Sequence, residues 1–293
     1  MNKLEVTRVT RDTRVTRVTR VIVCFTTIPA RVKFLSKILN CIHEQDYKID
    51  KTYLLLPWKS KRENKKYPPL PIDINLTNVD VIRCEDYGPI TKLYPILKYE
   101  TDPETCIITF DDDVSYLPNR VSTLVKYALK YPNSAISGSG FIVGNWWNFF
   151  GSIVYPKKIT SVSVIEGYSG CLYRRKFFDE ALIDYTNAPK EAFYHDDVWI
   201  SGYLALKGIK RLIHPEKFGT IDTLPNGLSH NRILCIKRFF PVLKYFKDLK
   251  TFNEEQVAKI WNTLTYKVLL IFMFLTFCVL GIIYLFYYKK RIF

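Results

Sequence analysis

Three consecutive carboxylates, Asp111, Asp112 and Asp113, follow an apolar run in "CIITFDDDVSYLP", residues 106–118. If the strand read there continued through them, Asp111 and Asp113 would share one face about 7 Å apart. At an effective dielectric of about 20 their repulsion would cost roughly 2–3 kcal/mol. A surface turn usually carries one such acid. A divalent cation converts the repulsion into ligation, because hard cations favour carboxylate oxygens and often bridge to a substrate's phosphates. A second acidic pair, Asp196 and Asp197, opens "DDVWISGYLALKGI", where a helical pattern begins. On structural grounds alone that pair also reads as an acidic first turn offsetting a helix dipole.

The elements that must position these acids alternate along the chain. Val21 to Thr26 reads as a first strand that stops at a Thr-Thr-Ile-Pro turn. Val32, Leu35, Ile38, Leu39 and Ile42 then share one helical face. "TYLLLP" (52–57) is a continuous apolar run suited to burial on both faces of a parallel sheet. Residues 58–71, rich in Lys, Asn and Pro, read as a loop, and "VDVIR" (79–83) as a third strand. Gly88 and Pro89 precede an expected helix reaching Tyr99, and "CIITF" (106–110) is the fourth strand, with the acids at its carboxyl end. Val121, Leu124, Val125 and Ala128 mark the next helix. This order predicts an α/β domain of Rossmann type with a mainly parallel central sheet. Ligands in such sheets bind outside the carboxyl ends of the strands, where the TTIP turn, the Gly-Pro turn and the acids would converge. From 135 onward, short pieces rich in Gly, Ser and aromatics suggest a substrate-facing half, and Asn253 with Gln256 suggests a capping box.

The 293-residue chain carries a formal charge of +15, unevenly placed. Residues 1–20 hold six basic and two acidic residues, and residues 231–293 hold eleven and three. The body between is close to balanced, which argues against nucleic acid as a partner. "VTRVTRDTRVTRVTRV" repeats every three residues, matching neither strand nor helix, so 1–20 reads as a basic arm. A charged repeat stands where a secretory signal would carry its apolar stretch. The seven cysteines show no CxxC spacing, which favours buried free thiols in a reducing compartment over zinc. Val268 to Tyr288 is uncharged, bracketed by Lys267 and by Lys289, Lys290 and Arg291. At 1.5 Å per residue it spans roughly 32 Å, enough to cross a bilayer. The expectation is a single-pass C-terminal transmembrane helix at 268–288, joined through a basic connecting region at 233–267 and followed by a short basic tail at 289–293. With no signal read, residues 1–267 are expected in the cytosol.

Four motifs stand in order: TTIPAR at 26–31, YGPITKL at 87–93, TFDDDVSY at 109–116 and HDDVW at 195–199. Together, over residues 21–232, they resemble the GT-A class of nucleotide-sugar-dependent glycosyltransferases, in the TTIP-containing form dispersed through bacteria and large DNA viruses. The resemblance implies a nucleotide-sugar half at 21–134 and an acceptor half at 135–232. It implies that Thr26, Thr27 and Arg31 hold the base and ribose. Asp111 and Asp113 would ligate a Mn2+ or Mg2+ ion bridging the donor diphosphate, and Asp112 would face the ribose or sugar. Lys92 would add positive charge at the diphosphate, although it also reads as a solvent-facing helix lysine. Inverting members use a carboxylate to deprotonate the acceptor hydroxyl, which falls on Asp197, with Asp196 as an acceptor or orienting contact. A carboxylate that only bound the acceptor would leave a retaining mechanism open. Some members add a late histidine to the metal, here His230 ahead of His214. Trp146 and Trp147 could stack on a sugar or fill the core. The implied activity is transfer of a hexosyl group to a glycan, protein or lipid hydroxyl.

Two rival readings use the same residues. Asp111-x-Asp113 after an apolar strand also resembles the first motif of haloacid-dehalogenase-type phosphatases, though three strands precede it here. A non-catalytic, tail-anchored nucleotide-sugar-binding module would bind without turnover.

Overall fold

A computed structural model of the chain describes residues 20–143, 152–227, 232–249, 251, 252, 274 and 276. The basic arm up to residue 19, Trp146, Trp147, His230 and the apolar 268–288 segment apart from Phe274 and Thr276 lie outside the described residues. Among the described residues no helix is long and apolar enough to cross a membrane.

Strand β1 (Val21–Thr26) shows why its run is apolar at every position. Val21, Val23 and Phe25 enter one core, while Ile22 and Cys24 enter another on the opposite face. A strand covered on both faces has no solvent side to fill with polar residues. Around it runs a sheet of eight strands in the order β6-β8-β5-β7-β4-β1-β2-β3. The others are β2 (Lys51–Pro57), β3 (Val79–Cys84), β4 (Cys106–Thr109), β5 (Ser134–Ser137), β6 (Thr160–Ser161), β7 (Cys171–Arg174) and β8 (Lys210–Ile213). β3, β2, β1 and β4 are parallel, and β7 runs antiparallel between β4 and β5. β8 is parallel to β5, and β6 antiparallel to β8. Strands from 21–134 and from 135–232 therefore hydrogen-bond into one sheet.

Helices α1 (Leu35–His43) and α2 (Arg120–Lys130) cover one face with the apolar positions read from their spacing. α3 (Asp196–Leu206) and α4 (Arg232–Asp248) cover the other. The helix expected to reach Tyr99 is instead two 3-10 turns, Gly88–Lys92 and Tyr94–Lys98. Pro95 lacks an N–H and its ring crowds the carbonyl four residues back, so a regular helix is interrupted and the break falls at Leu93, with φ −121° and ψ −53°. Pro29 likewise opens a 3-10 turn, Pro29–Phe34, ahead of α1. The expected loop at 58–71 contains a minimal hairpin, Lys59–Ser60 against Lys65–Lys66. The thiols of Cys24, Cys41, Cys84, Cys106 and Cys171 are free.

α3 and α4 meet at a glycine. A Cβ placed on Gly202 would lie 2.3 Å from Phe246 Cδ1. Helix propensity alone would favour alanine by about 1 kcal/mol. Overpacking against a seated aromatic ring costs about 1–3 kcal/mol. Gly202→Ala is therefore expected to lower the urea midpoint, and a raised midpoint would show that α4 does not seat on α3.

Candidate active site

Register places the acidic triplet. Cys24 pairs with Thr109, and the Phe110 N–H donates to the Cys24 carbonyl at 3.0 Å. The carboxyl ends of β1 and β4 thus lie side by side, with Thr26 and Thr27 next to Asp111, Asp112 and Asp113. β4 ends at Thr109 and does not run through the acids: Asp112 and Asp113 form a turn into Val114–Tyr116, which pairs with Gly219–Ile221. The Asp111 N–H donates to the Tyr116 hydroxyl at 2.9 Å, and Tyr116 stacks on Phe110 with ring centroids 3.8 Å apart. The three carboxylates fan around this turn, so that Asp111 meets Lys92 while Asp112 and Asp113 share Arg31.

Asp112 accepts from Thr27 Oγ1 at 2.5 Å and from Arg31 Nη1 at 2.6 Å, so both its oxygens are engaged within the protein. The same guanidinium reaches Asp113 Oδ2 at 2.9 Å, and Arg31 Nε donates to the Pro225 carbonyl at 2.7 Å. Thr26 Oγ1 donates to the Leu55 carbonyl on β2 at 2.7 Å. Lys92 is buried, not solvent-facing, because the 3-10 turn after Gly88 and Pro89 points it inward. Its Nζ donates to Asp111 Oδ1 at 2.5 Å and stands 3.0 Å from Asp196 Oδ2. Asp197 Oδ1 accepts from the Gly167 N–H at 2.8 Å. A Cβ on Gly167 would lie 2.7 Å from Lys92 Nζ and 2.9 Å from Asp197 Oδ1, so glycine is what lets this backbone approach.

The electrostatics follow from five carboxylates sharing Lys92 and Arg31. Burial alone would lower the Lys92 pKa, but Asp111, Asp196 and Asp197 outweigh it and hold it well above its ordinary value. Desolvation pushes Asp197 well above the usual carboxylate range, with Asp196 adding repulsion and Lys92 opposing both. Asp112 is raised by burial despite Arg31, and Asp113 by burial and the charge of Asp111. Positive charge is in deficit on this floor.

These groups line a cleft of about 690 Å³ whose other wall includes Glu166, Tyr168 and Phe239. Glu166 accepts from Ser139 Oγ at 2.6 Å and from Ser152 Oγ at 2.7 Å. In the sequence it is a lone acid in a Gly-Ser stretch, with no spacing to single it out. Arg62 also lines the cleft and donates to the Asn226 carbonyl. Asp86, another lining residue, accepts from the Lys61 and Gly88 N–H groups at 2.6 and 2.7 Å, which organises the Gly-Pro turn. His214 is not at the site. It is fully buried with Nε2 at 2.5 Å from Arg120 Nη1, and burial together with Arg120 drives its pKa down to about 3.

Among the described residues no three His, Cys, Asp or Glu side chains gather as a protein-only metal cage. Asp111 and Asp113 are each 26% exposed toward the cleft. Their hard oxygens, with positive charge in deficit around them, fit a cation that takes one or two protein carboxylates and completes its shell with water and phosphate. No protein-family model matches the chain, and no curated protein matches it.

Lys92→Met would leave Asp111 and Asp196 facing a desolvated Asp197 without their ammonium. The expected loss of stability is about 3–5 kcal/mol at neutral pH. Removing the cation takes away the charge that opposes the rise at Asp197, so its pKa moves further up. An acid whose folded pKa is raised gains stability below its unfolded value of 3.8 and loses it as pH climbs through the folded value. The gap between wild type and variant should therefore narrow as pH falls toward the unfolded value, as read by urea denaturation. A gap that widens in acid would contradict the pairing.

Proposed function

We propose that this chain is a cation-dependent glycosyltransferase that moves a hexosyl group from a nucleotide-diphosphate sugar to an acceptor hydroxyl, with inversion. The observation that carries the reading is one arrangement at the carboxyl ends of β1 and β4. A carboxylate triplet short of positive charge faces, across Lys92, a second acidic pair whose Asp197 is desolvated. That combination suits a departing diphosphate on one side and a proton acceptor on the other.

A Mn2+ or Mg2+ ion held by Asp111 and Asp113 would supply positive charge at the diphosphate oxygens as the nucleotide leaves. The protein's own groups do the rest. Arg31 and Thr27 fix Asp112, so Asp112 acts by holding the triplet's turn against the end of β1. Thr26, Thr27 and Arg31 line the cleft where the base and ribose would lie. Lys92 keeps Asp111 and Asp196 at fixed separation, which makes Asp196 an orienting residue. Asp197, oriented by the Gly167 N–H, takes the acceptor proton; a raised pKa makes its carboxylate a better base near neutral pH. Tyr168 and Phe239 offer ring faces to an acceptor sugar or chain. In this reading the 268–288 segment anchors the protein with the cleft on the cytosolic side.

The test is a screen of nucleotide sugars against the full-length protein with manganese, following donor hydrolysis and sugar transfer. Turnover should vanish in chelator, and Asp111→Asn or Asp113→Asn should each remove most of it. Asp113→Asn should leave the melting temperature near that of wild type, while Asp111→Asn, which takes a carboxylate from the buried Lys92, should lower it. Phosphate release from phosphoesters without sugar transfer would support a phosphatase instead, and nucleotide-sugar binding without turnover a non-catalytic module.

Asp197 makes a separate prediction. Asp197→Asn should lower kcat by about 100-fold or more with donor affinity retained, the pattern of an interaction made in the transition state. An effect confined to donor affinity would move the base elsewhere.

A further inference from the structure

α4 turns one side to the core and a different chemistry to solvent. Val242, Leu243 and Phe246 are buried, while Lys237, Phe240, Lys244 and Lys247 are exposed. Spaced three, four and three residues apart, those four form a single stripe along the helix. The stretch 237–250, "KRFFPVLKYFKDLK", holds five basic residues and one acid, Asp248 at the stripe's edge. Exposed lysines flanking an exposed aromatic complement an anionic bilayer surface: the charges meet headgroups and the ring enters the boundary beneath them. The same helical turn reaches the cleft. Phe239, next to Phe240, lines it and packs 5.7 Å from Phe141, while Arg238 lies over the Tyr194 ring at 4.0 Å.

Chain length supports the same occupant. Only 19 residues, 249–267, separate α4 from the uncharged segment that begins at Val268. They can extend at most about 68 Å. If 268–288 spans the bilayer, α4 is confined near its surface at high effective concentration, so weak contacts suffice.

We propose that the Lys237, Phe240, Lys244 and Lys247 stripe of α4 docks the protein on an anionic membrane surface and holds the cleft rim beside the headgroups. Resting on the glycosyltransferase reading, this assigns the acceptor to the lipid-borne class: a hydroxyl carried by a membrane lipid reaches the Phe239 wall without leaving the bilayer.

The full chain is reconstituted into vesicles of phosphatidylcholine with and without phosphatidylglycerol, and lysine acylation rates are read residue by residue by mass spectrometry. Acylation of Lys237, Lys244 and Lys247 should slow roughly tenfold in the anionic vesicles. Lys130, on α2 beyond the opposite face of the sheet, should be unchanged. Phe240→Glu should remove the protection while the buried Lys92 stays shielded from acylation, which shows that the fold is kept. Equal rates in the two vesicles, or equal slowing at Lys130, would overturn the docking surface. Sugar transfer is followed in the same vesicles. Protection without any transfer would defeat the enzymatic reading and leave the surface standing. Transfer to a soluble acceptor alone would overturn the lipid assignment.

Discussion

One buried ammonium, that of Lys92, joins two acidic segments that would otherwise push each other apart. Asp111 comes from the end of a central strand and Asp196 from the first turn of α3, and both lean on the same nitrogen. The helix start favours acids there through its dipole, but a dipole end alone is weak support for two adjacent carboxylates with a third nearby. The position of Lys92 depends in turn on the turn that follows Gly88 and Pro89, whose geometry Asp86 fixes by accepting backbone N–H groups. Gly167 completes the enclosure because any larger residue would collide with the lysine. The cleft floor is thus one connected electrostatic object built from four separated stretches of chain.

The fold was legible where burial is simple. β1 needed apolar residues throughout because it lies between two cores, and that pattern reads directly from Val21 to Phe25. α1 and α2 were legible from spacing because each buries only one face. Legibility failed where proline decides the winding: the 88–99 stretch has helical composition, yet Pro95 breaks it into two 3-10 turns. The antiparallel insertion of β7 between β4 and β5 leaves no local mark in "CLYR", since it is set by long-range pairing.

The site divides in a similar way. Repulsion within the acidic triplet is a property of composition, so a demand for positive charge could be read before any geometry. Its answer within the protein could not. Whether Lys92 faces solvent or the acids depends on a half-turn of winding, and whether Asp112 meets a ligand or Arg31 depends on where the Thr27 loop closes. Glu166 carries no pattern and emerges only because the Ser139 and Ser152 hydroxyls converge on it. His214 and the triplet lie far apart in function for a reason visible only in three dimensions: the imidazole is packed against Arg120 in the interior.

The position of β7 also governs how the chain can assemble. Until residue 174 has left the ribosome, β4 has no neighbour on one side and presents an open sheet edge, a hazard for pairing with other chains. β1 and β7 flank the same strand from opposite ends of the sequence body, so the sheet's closure rests on contacts of long loop length, which form slowly. A cut between β5 and β7 would leave one fragment with a bare central strand and the other without the strand it must cover. The two halves distinguished by composition are therefore a single cooperative folding unit, and neither is a module that could be exchanged on its own.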